Sequence, residues 1–535
     1  MKEDGPFRII KKMLVRCGLI GIIFLISIVG CGSDDDPGSD SQWVKGVFEP
    51  SVTFEALCEH PRSGIDPTSG ASYPDIQGTL LDEMNWQRSW SNDVYLWYDE
   101  IVDRNPADFN DKFKYFDTLR TEERLPSGNP KDRFHFTYDT AEWEQLQQSG
   151  VSYGYGARLT LIASSPPREI AVAFTEPNTS ATNPPANLSR GARILKVDGV
   201  DAVHADTQSD IDILDAGLFP EEDGETHRFT VLDLDSNTPR TFSMQAGSFV
   251  STPVQSVQTI ATETGPVGYM LFNRHIAIAQ EQLIEAVRAL AAEGVTDLVL
   301  DLRYNSGGLL RLSSQLAYMV AGSAHTRDQI YYFEQFNNKY PTTKPFTGEP
   351  NDPIPFIDFT LDYPLSEDAD EKPLPALDLD RLFVLTTSHT CSASEALING
   401  LRGVDIEVIQ IGTTTCGKPF GYYPIDNCGT TYFTINFTGE NAKGFGKYAD
   451  GFSPADTGGT GDTSLPGCSV TDDFNHALGD RQEALLATAL FYRENDRCPE
   501  QGELPQTVLQ GIAGQSAQRE GYMDIPLPLQ NAIIN

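Results

Sequence analysis

Residues 296–308 read TDLVLDLRYNSGG, and residues 309–320 after them read LLRLSSQLAYMV. The apolar run at 296–302 predicts a strand buried on both faces of a sheet, and the second stretch predicts a helix. Two glycines lie between them, where backbone N–H groups at a helix N-terminus can face an anion. A phosphate loop is one interpretation, although the GxxxxGK[ST] pattern is absent. An oxyanion hole is the other.

Apolar strands alternate with helices on both sides of that stretch. We predict further strands at 267–272, 382–386 and 407–411, and a helix at 282–292. Such alternation is typical of a sheet flanked by helices. The sequence therefore predicts an α/β core over 251–498 and a C-terminal tail over 499–535, within a multidomain α/β protein.

Two more segments follow predicted strands and carry candidate chemistry. Residues 387–395 read TSHTCSASE, in which Ser392 and Glu395 have the spacing of a capping box. A hydroxyl at that turn also faces the carboxyl edge of the sheet, where open α/β sheets bind ligands. Residues 415–422 read TCGKPFGY, and the Gly, Pro and aromatic neighbours of Lys418 favour its burial. Burial disfavours a charged amine, which would make a neutral amine base available. Taken singly, Ser392 is a helix cap and Lys418 a solvated surface charge.

Together the three segments resemble the C-terminal processing (tail-specific) peptidase family, serine peptidases with a Ser-Lys dyad. The family's D-L-R-x-N-x-G-G, S-A-S-E and G-K elements occur here in the same order, at 301–308, 392–395 and 417–418. The resemblance implies that Ser392 is the nucleophile and Lys418 the base. It also implies that the N–H groups of Ala393 and of Gly307 or Gly308 bind the oxyanion. An acyl-enzyme mechanism of this kind needs no cofactor and no metal.

The chain departs from the family near the base. Tyr422 stands where the family often has a glutamine that orients the lysine, so either its phenol hydroxyl orients the amine or the orientation comes from elsewhere. His389 is a rival base because Ser-His pairs are common, although a histidine at a strand end more often makes a local hydrogen bond. Ser394 is a rival nucleophile, but it falls inside the first helical turn.

Residues 150–250 contain short alternating runs separated by turn signals, which predict a small β-rich domain. Residues 154–159 read GYGARL and residues 190–200 read RGARILKVDGV. Both stretches resemble a PDZ domain. The resemblance implies that an extended peptide adds to the domain as a strand, its carboxylate held by a loop. The residues of that loop are Tyr153, Gly154, Tyr155 and Gly156.

The N-terminus predicts export. A basic stretch precedes an apolar run at 19–29, which is the order found in a secretory signal. The run ends before Cys31 in a pattern that resembles a bacterial lipoprotein lipobox, with Cys31 lipidated. We therefore predict a signal peptide over 1–30, a flexible tether over 31–70 and a helical N-terminal domain over 71–149. The expected location is the cell envelope, facing the periplasm, and the absence of Asp after Cys31 favours the outer membrane.

Composition narrows the function further. The 535 residues include 39 Lys and Arg against 76 Asp and Glu, a formal charge of −37, and such a surface repels nucleic acid. In an oxidising compartment an even set of cysteines predicts disulfides. One hypothesis is that a Cys391–Cys416 bond locks the dyad. No Cys/His pattern has zinc spacing, so no metal site is expected. Six cysteines remain outside the predicted signal and anchor, at positions 58, 391, 416, 428, 468 and 498.

These patterns predict an envelope serine endopeptidase of the C-terminal processing type. Its partners would be protein or peptide substrates and a membrane, reached through the lipid anchor. Two alternatives stay open. One is a catalytically weak lipoprotein that keeps the fold and binds peptides or other ligands. The other is an envelope scaffold in which the PDZ-like domain makes the functional contact.

Overall fold

The structure is a computed structural model, and it describes residues 43–67, 69–145, 150–234, 236–363, 370–500, 502–504 and 521–522. The predicted signal peptide, Cys31, and positions 32–42 and 68 of the predicted tether lie outside the described residues, whereas residues 43–67 are described with the N-terminal region. Within the described ranges, no helix combines the length and the apolar character needed to cross a membrane.

The N-terminal region, residues 43–145, contains one long helix. It comprises β1 (Leu57–Cys58), β2 (Ile76–Gln77), α1 (Leu80–Val94), α2 (Lys112–Phe116), β3 (Phe136–Asp139) and α3 (Thr140–Glu144). Thr79 starts α1 with a capping box, because its hydroxyl accepts the N–H of Asp82 and the Asp82 carboxylate accepts the N–H of Thr79. The region is less helical than predicted. Aromatic residues at 134, 136 and 138 repeat every second position, as in a strand, and β3 pairs with Thr430–Phe433 of the core.

Residues 150–250 form a β-rich region with its own apolar core. The main sheet has the order β10-β9-β7-β6-β5, and β4 pairs separately with β11. The short alternating runs of the sequence form strands in this region, as predicted. The elements are β4 (Val151–Gly154), β5 (Ala157–Ala163), β6 (Glu169–Thr175), β7 (Arg193–Val197), β8 (Val200–Asp201), α4 (Gln208–Leu218), β9 (Thr226–Leu232), β10 (Arg240–Gln245) and β11 (Gly247–Val250).

The core is built on a six-stranded sheet. Its first part comprises β12 (Val254–Ile260), β13 (Val267–Phe272), α5 (Ala279–Ala292), β14 (Asp297–Asp301), α6 (Leu310–Thr326), β15 (Ile330–Phe336), β16 (Ile354–Pro355), β17 (Arg381–Thr386), α7 (Ala393–Gly403) and β18 (Glu407–Gly412). The remainder comprises β19 (Phe420–Gly421), β20 (Ile425–Asn427), β21 (Thr430–Phe433), β22 (Phe437–Glu440), β23 (Ser453–Pro454), β24 (Ser464–Leu465), β25 (Gly467–Ser469) and α8 (Ala484–Asn495). In the predicted C-terminal tail, β26 (Gly521–Tyr522) pairs with β5 of the region 150–250, and positions 505–520 and 523–535 lie outside the described residues. The core strands and helices predicted from the sequence are confirmed here, with ends shifted by a few residues.

The sheet order is β12-β13-β14-β17-β18-β25, with β12 antiparallel and the other strands parallel. Leu298 and Leu300 of β14 face a core formed with α5, α6 and α7, whereas Val299 faces a core formed with α8. Both faces are therefore covered, as predicted. Because β14, β17 and β18 are adjacent and parallel, their carboxyl ends meet at one edge, and the three segments with candidate chemistry start there.

Three disulfides link the described cysteines: Cys58–Cys428, Cys391–Cys416 and Cys468–Cys498. The first ties the N-terminal region to the core. The second is the predicted bond, and it joins the residue before Ser392 to the residue two before Lys418. The third joins the segment at β25 to the segment after α8.

Candidate active site

Ser392 lies in the turn between β17 and α7, directly before the helix. Its φ of 56° and ψ of −113° are unusual for a residue with a side chain, and such strain is typical of functional turns. Two contacts hold the turn against the loop after β14. Thr390 Oγ1 donates to the Leu302 carbonyl at 2.9 Å, and the Cys391 N–H donates to the Asn305 carbonyl at 3.1 Å. The hydroxyl of Ser392 is thereby fixed at the carboxyl edge of the sheet.

The buried carboxylate of Glu395 joins the Ser392 turn to the Lys418 segment. Its Oε2 accepts the N–H of Ser392 at 3.0 Å and that of Lys418 at 2.8 Å. Its Oε1 accepts the Gly417 N–H at 2.8 Å and the Thr415 hydroxyl at 2.5 Å. Burial raises the pKa of Glu395, and these four donors act in the opposite direction. The residue identified from sequence as a cap therefore also holds the segments of the predicted nucleophile and base together.

Lys418 is 7% exposed, which agrees with the predicted burial. Its Nζ lies 4.0 Å from the ring centre of Tyr422 and 5.1 Å from that of Phe134. In the described ranges, no carboxylate oxygen lies within ion-pair distance of this amine. The amine of Lys418 lies over the ring of Tyr422. Orientation of the amine by the Tyr422 hydroxyl was one of two alternatives, and it stays a prediction. The N-terminal region completes the enclosure, because Arg133 also donates to the Cys416 carbonyl.

The glycine loop after β14 touches the nucleophile turn. Gly307 and Gly308 have φ values of 101° and 133°, which favour glycine. A Cβ on Gly307 would lie 2.8 Å from the Ser392 Cβ and 2.9 Å from the Ala393 nitrogen. The N–H of Gly307 already donates to Asn305 Oδ1 at 3.0 Å. Of the two predicted glycine donors, Gly308 is therefore the better candidate beside Ala393, since no hydrogen bond of its N–H occurs in the described ranges.

The rival site residues have other contacts. Ser394 is fully buried, and its hydroxyl donates to the Asn305 carbonyl at 3.0 Å, so it is not presented as a nucleophile. The backbone N–H of His389 donates to Thr387 Oγ1 at 3.2 Å. This bond does not involve the imidazole, so the role of the His389 side chain stays a prediction.

One group near the site has the geometry of metal ligands. The Sγ atoms of Cys391 and Cys416 and a Glu395 oxygen lie within 4.8 Å of one another. The two sulfur atoms are bonded to each other, however, and a disulfide offers no thiolate to a metal. The group therefore does not constitute a metal site in this oxidised form.

The predicted peptide-binding loop separates into two kinds of residue. The tyrosine hydroxyls are used inside the region, since Tyr153 donates to the Glu222 carbonyl and Tyr155 donates to the Gly217 carbonyl at 3.0 Å. Gly154 and Gly156 have positive φ values of 127° and 79°. The loop leads into β5 at the edge of the main sheet, where β26 pairs antiparallel with it. The two glycines therefore remain the better candidates for contacts to a peptide.

Three residues of the site were not predicted from the sequence: Phe134, Asn305 and His275. Asn305 had a signal, because an Asn two residues before a glycine often accepts that glycine's N–H in an Asx turn. Phe134 and His275 both lie far from Lys418 along the chain, in separate elements, and no spacing identifies them. His275 is fully buried, and its Nδ1 lies 3.0 Å from Asn305 Oδ1.

The site lies within a stretch that matches a known family. Residues 266–426 match the model of Peptidase family S41, and this stretch includes both glycines, Ser392 and Lys418. The chain is also 28% identical over 133 residues to a carboxyl-terminal-processing protease of Picosynechococcus sp. (strain ATCC 27264 / PCC 7002 / PR-6). That alignment spans 25% of this chain and 30% of the relative's own length.

A solved structure shares the architecture of this chain. A putative S41 protease from Bacteroides fragilis NCTC 9343 superposes with a TM-score of 0.53 at 20% identity, covering 79% of this chain and 98% of that one. The photosystem II D1 C-terminal processing protease gives a TM-score of 0.41 at 17% identity, covering 71% of this chain and 92% of that one. The first likeness shows that the multidomain α/β fold is that of an S41 protease structure.

Proposed function

We propose that the chain is a serine endopeptidase of the carboxyl-terminal-processing type that acts through a Ser392–Lys418 dyad. The observation that carries the proposal is the buried Glu395 carboxylate, which accepts N–H groups from both residues and so fixes their segments together. The match of residues 266–426 to a peptidase family supports the same reaction class.

The proposed reaction starts with neutral Lys418 taking the proton of the Ser392 hydroxyl. The alkoxide attacks the scissile carbonyl, and the N–H groups of Ala393 and Gly308 stabilise the oxyanion. The leaving amine takes its proton from Lys418, which leaves an acyl-enzyme on Ser392. Lys418 then activates the water that releases the acyl group. The rings of Phe134 and Tyr422 keep bulk water from the amine.

Substrates are proposed to be proteins or peptides, cut near their C-termini. The region 150–250 would bind an extended segment along β5 in the place that β26 takes in this structure, with the Gly154 and Gly156 turn close to its carboxylate. We place the protein in the cell envelope, anchored through a lipid on Cys31 and facing the periplasm, with the outer membrane preferred. Three disulfides suit that oxidising compartment.

A fluorophosphonate probe, which labels an activated serine, tests the dyad. Wild type is expected to be labelled, whereas Ser392→Ala and Lys418→Met are not. Ser388→Ala and Lys447→Met are matched controls, because both side chains are exposed and outside the proposed dyad. Labelling that survives Ser392→Ala would refute the site. Cleavage of an unfolded protein with defined C-termini, followed by mass spectrometry, tests the substrate class.

The Tyr422 contact favours a second candidate, a peptide-binding protein that has lost most of its activity. The amine lies 4.0 Å from the ring centre of Tyr422, so the ring holds it by a cation–π contact, whereas the base of a dyad has to be directed at the serine hydroxyl. Under this alternative, the folded wild type would bind peptides and remain unlabelled. A scaffold acting through region 150–250 would bind peptides even when residues 251–498 carry Ser392→Ala and Lys418→Met.

A further inference from the structure

The backbone of His275 lies against the glycine loop. Its N–H donates to the Gly307 carbonyl at 3.0 Å, and its carbonyl accepts the Leu309 N–H at 2.8 Å. A Cβ on Gly308 would lie only 2.2 Å from the His275 oxygen. These contacts form a short bridge that does not depend on the histidine side chain, so substitution there leaves the bridge in place.

The side chain of His275 forms a hydrogen bond with the amide of Asn305. The amide nitrogen donates to the Phe272 carbonyl at 2.9 Å, which fixes the orientation of the amide. The amide oxygen accepts the Gly307 N–H at 3.0 Å and lies 3.0 Å from His275 Nδ1. Because that oxygen only accepts, Nδ1 carries the proton. His275 thus donates to the atom that holds Gly307.

The other ring nitrogen is unused. In this tautomer Nε2 is an acceptor, and it is buried with no hydrogen-bond partner in the described ranges. Burial lowers the pKa of His275 to about 4, so the ring is neutral near neutral pH. Buried histidines that serve packing usually satisfy both nitrogens. Here the polar function of the ring is directed at Asn305 and at the Gly307 backbone, the two groups of the glycine loop that it faces.

Asn305 also connects this contact to the nucleophile. Its backbone carbonyl accepts the Cys391 N–H at 3.1 Å and the Ser394 hydroxyl at 3.0 Å. One residue therefore holds the glycine loop by its side chain and the Ser392 turn by its backbone. Without the His275 ring, the Asn305 side chain would be held only by the Phe272 carbonyl and the Gly307 N–H.

We propose that His275 is a positioning residue for the oxyanion donors. Its Nδ1–H holds Asn305, Asn305 holds Gly307, and Gly307 thereby directs the N–H of Gly308 toward the carbonyl that Ser392 attacks. His275 itself does not touch the substrate. The inference rests on the proposed peptidase function and adds a residue to it.

Two amide substitutions separate the roles of the ring nitrogens. His275→Asn places an amide N–H near the Nδ1 position, whereas His275→Gln places one near Nε2, and His275→Leu removes both. We expect the Gln and Leu variants to lower kcat by about 10- to 100-fold, since a misdirected oxyanion donor loses part of the roughly 100- to 1,000-fold effect of such a donor. KM should change by less than about twofold, because the oxyanion exists only in the transition state. His275→Asn should recover most of the lost kcat.

A peptidyl boronic acid, which mimics the tetrahedral intermediate, gives a second readout. Its affinity should fall with kcat across the three variants, while the affinity of a cleaved peptide product stays constant. Equal kcat for the Asn and Gln variants, or a change confined to KM, would overturn the positioning role. Should His275→Leu fail to fold, the Asn and Gln pair still decides. A wild type without turnover or labelling would refute the proposed function, whereas an active wild type matched by all variants would refute this inference alone.

Discussion

Two buried basic side chains of this chain, Arg303 and Lys418, have opposite surroundings. Arg303 is fully buried and pairs with three carboxylates, with distances of 2.9 Å to Asp301, 2.6 Å to Asp472 and 2.9 Å to Glu483. Lys418 is nearly as buried, yet it faces two aromatic rings and pairs with no carboxylate in the described ranges.

The first arrangement is structural. Asp472 also pairs with Arg190 at 2.6 Å, and Arg190 donates to the hydroxyl of Tyr304 at 2.5 Å. This ion cluster, formed by Arg190, Asp301, Arg303, Asp472 and Glu483, connects the region 150–250 to the core.

A buried charge that loses its partner lowers the stability of the fold, and every charge in this cluster has a partner of opposite sign. The lysine lacks that compensation. A buried amine without a carboxylate is the arrangement that suits a general base, because a carboxylate would hold its proton.

Lys418→Met tests whether the buried lysine serves the reaction rather than the stability of the fold. We expect kcat to fall by about 10³- to 10⁴-fold because the general base is lost. The free energy of unfolding should stay within about 1 kcal/mol of wild type, since an apolar side chain of similar length replaces an uncompensated amine. Peptide hydrolysis and urea unfolding measure the two effects. A large loss of stability with most of the activity retained would show that Lys418 is structural.

Arg303→Met tests whether the buried arginine stabilises the fold. The substitution leaves the buried Asp301 and Glu483 without their cation and Asp472 with Arg190 alone, so we expect the free energy of unfolding to fall by about 3–5 kcal/mol. Urea unfolding of the purified variant measures this. Arg497→Met is the matched control, because Arg497 pairs at 2.6 Å with Glu503 at the surface, and its loss should be far smaller. Equal losses in the two variants would refute the distinction between the cluster and a surface pair.

Much of this comparison was predictable from the sequence. The run at 267–272 is apolar at nearly every position, and the run at 296–302 is apolar at its centre, 298–300, as a parallel strand covered on both faces requires. Both are strands. Ser392 and Lys418 were predicted from their order and from a family resemblance. Their convergence follows once β14, β17 and β18 are adjacent and parallel.

Other parts depend on contacts that sequence spacing does not encode. Glu395 matched a local capping pattern, but its carboxylate also binds the N–H groups of Gly417 and Lys418, which lie beyond the next strand of the sheet. Strand β3 pairs with β21, a strand of the core much further along the chain, so the aromatic pattern at 134–138 had no visible partner. The N–H of Gly307 is withdrawn from the oxyanion site by Asn305, a detail of side-chain orientation.

Two disulfides close loops of similar length, one at the proposed site and one elsewhere in the core. Cys391–Cys416 spans 25 residues and Cys468–Cys498 spans 30, so loop entropy predicts a similar loss, about 3–4 kcal/mol, when either pair is replaced by serine. Only the first bond joins the two segments of the dyad. We expect its removal to lower kcat at least about tenfold, because misplaced catalytic groups lose much of their effect. Removal of the second should leave kcat close to wild type. Equal kcat in the two double variants would mean that the first bond stabilises the fold but does not position the proposed dyad.

The smallest expected effect concerns pH and tests whether His275 is a neutral, uncompensated group like the proposed form of Lys418. Its pKa is lowered from the ordinary 6.5 to about 4 by burial. Between these values the unfolded chain binds a proton at His275 that the folded chain does not, so stability is lost as the pH falls. His275→Asn removes that term, and its stability relative to wild type should rise by about 2–3 kcal/mol between about pH 7 and pH 4.5. Other titrating groups, including buried His135 with its lowered pKa, are common to both proteins and cancel in the difference. Urea unfolding at several pH values gives the two curves. Parallel curves would show that His275 titrates alike in the folded and unfolded chain, and its environment would then resemble the compensated cluster more than the site.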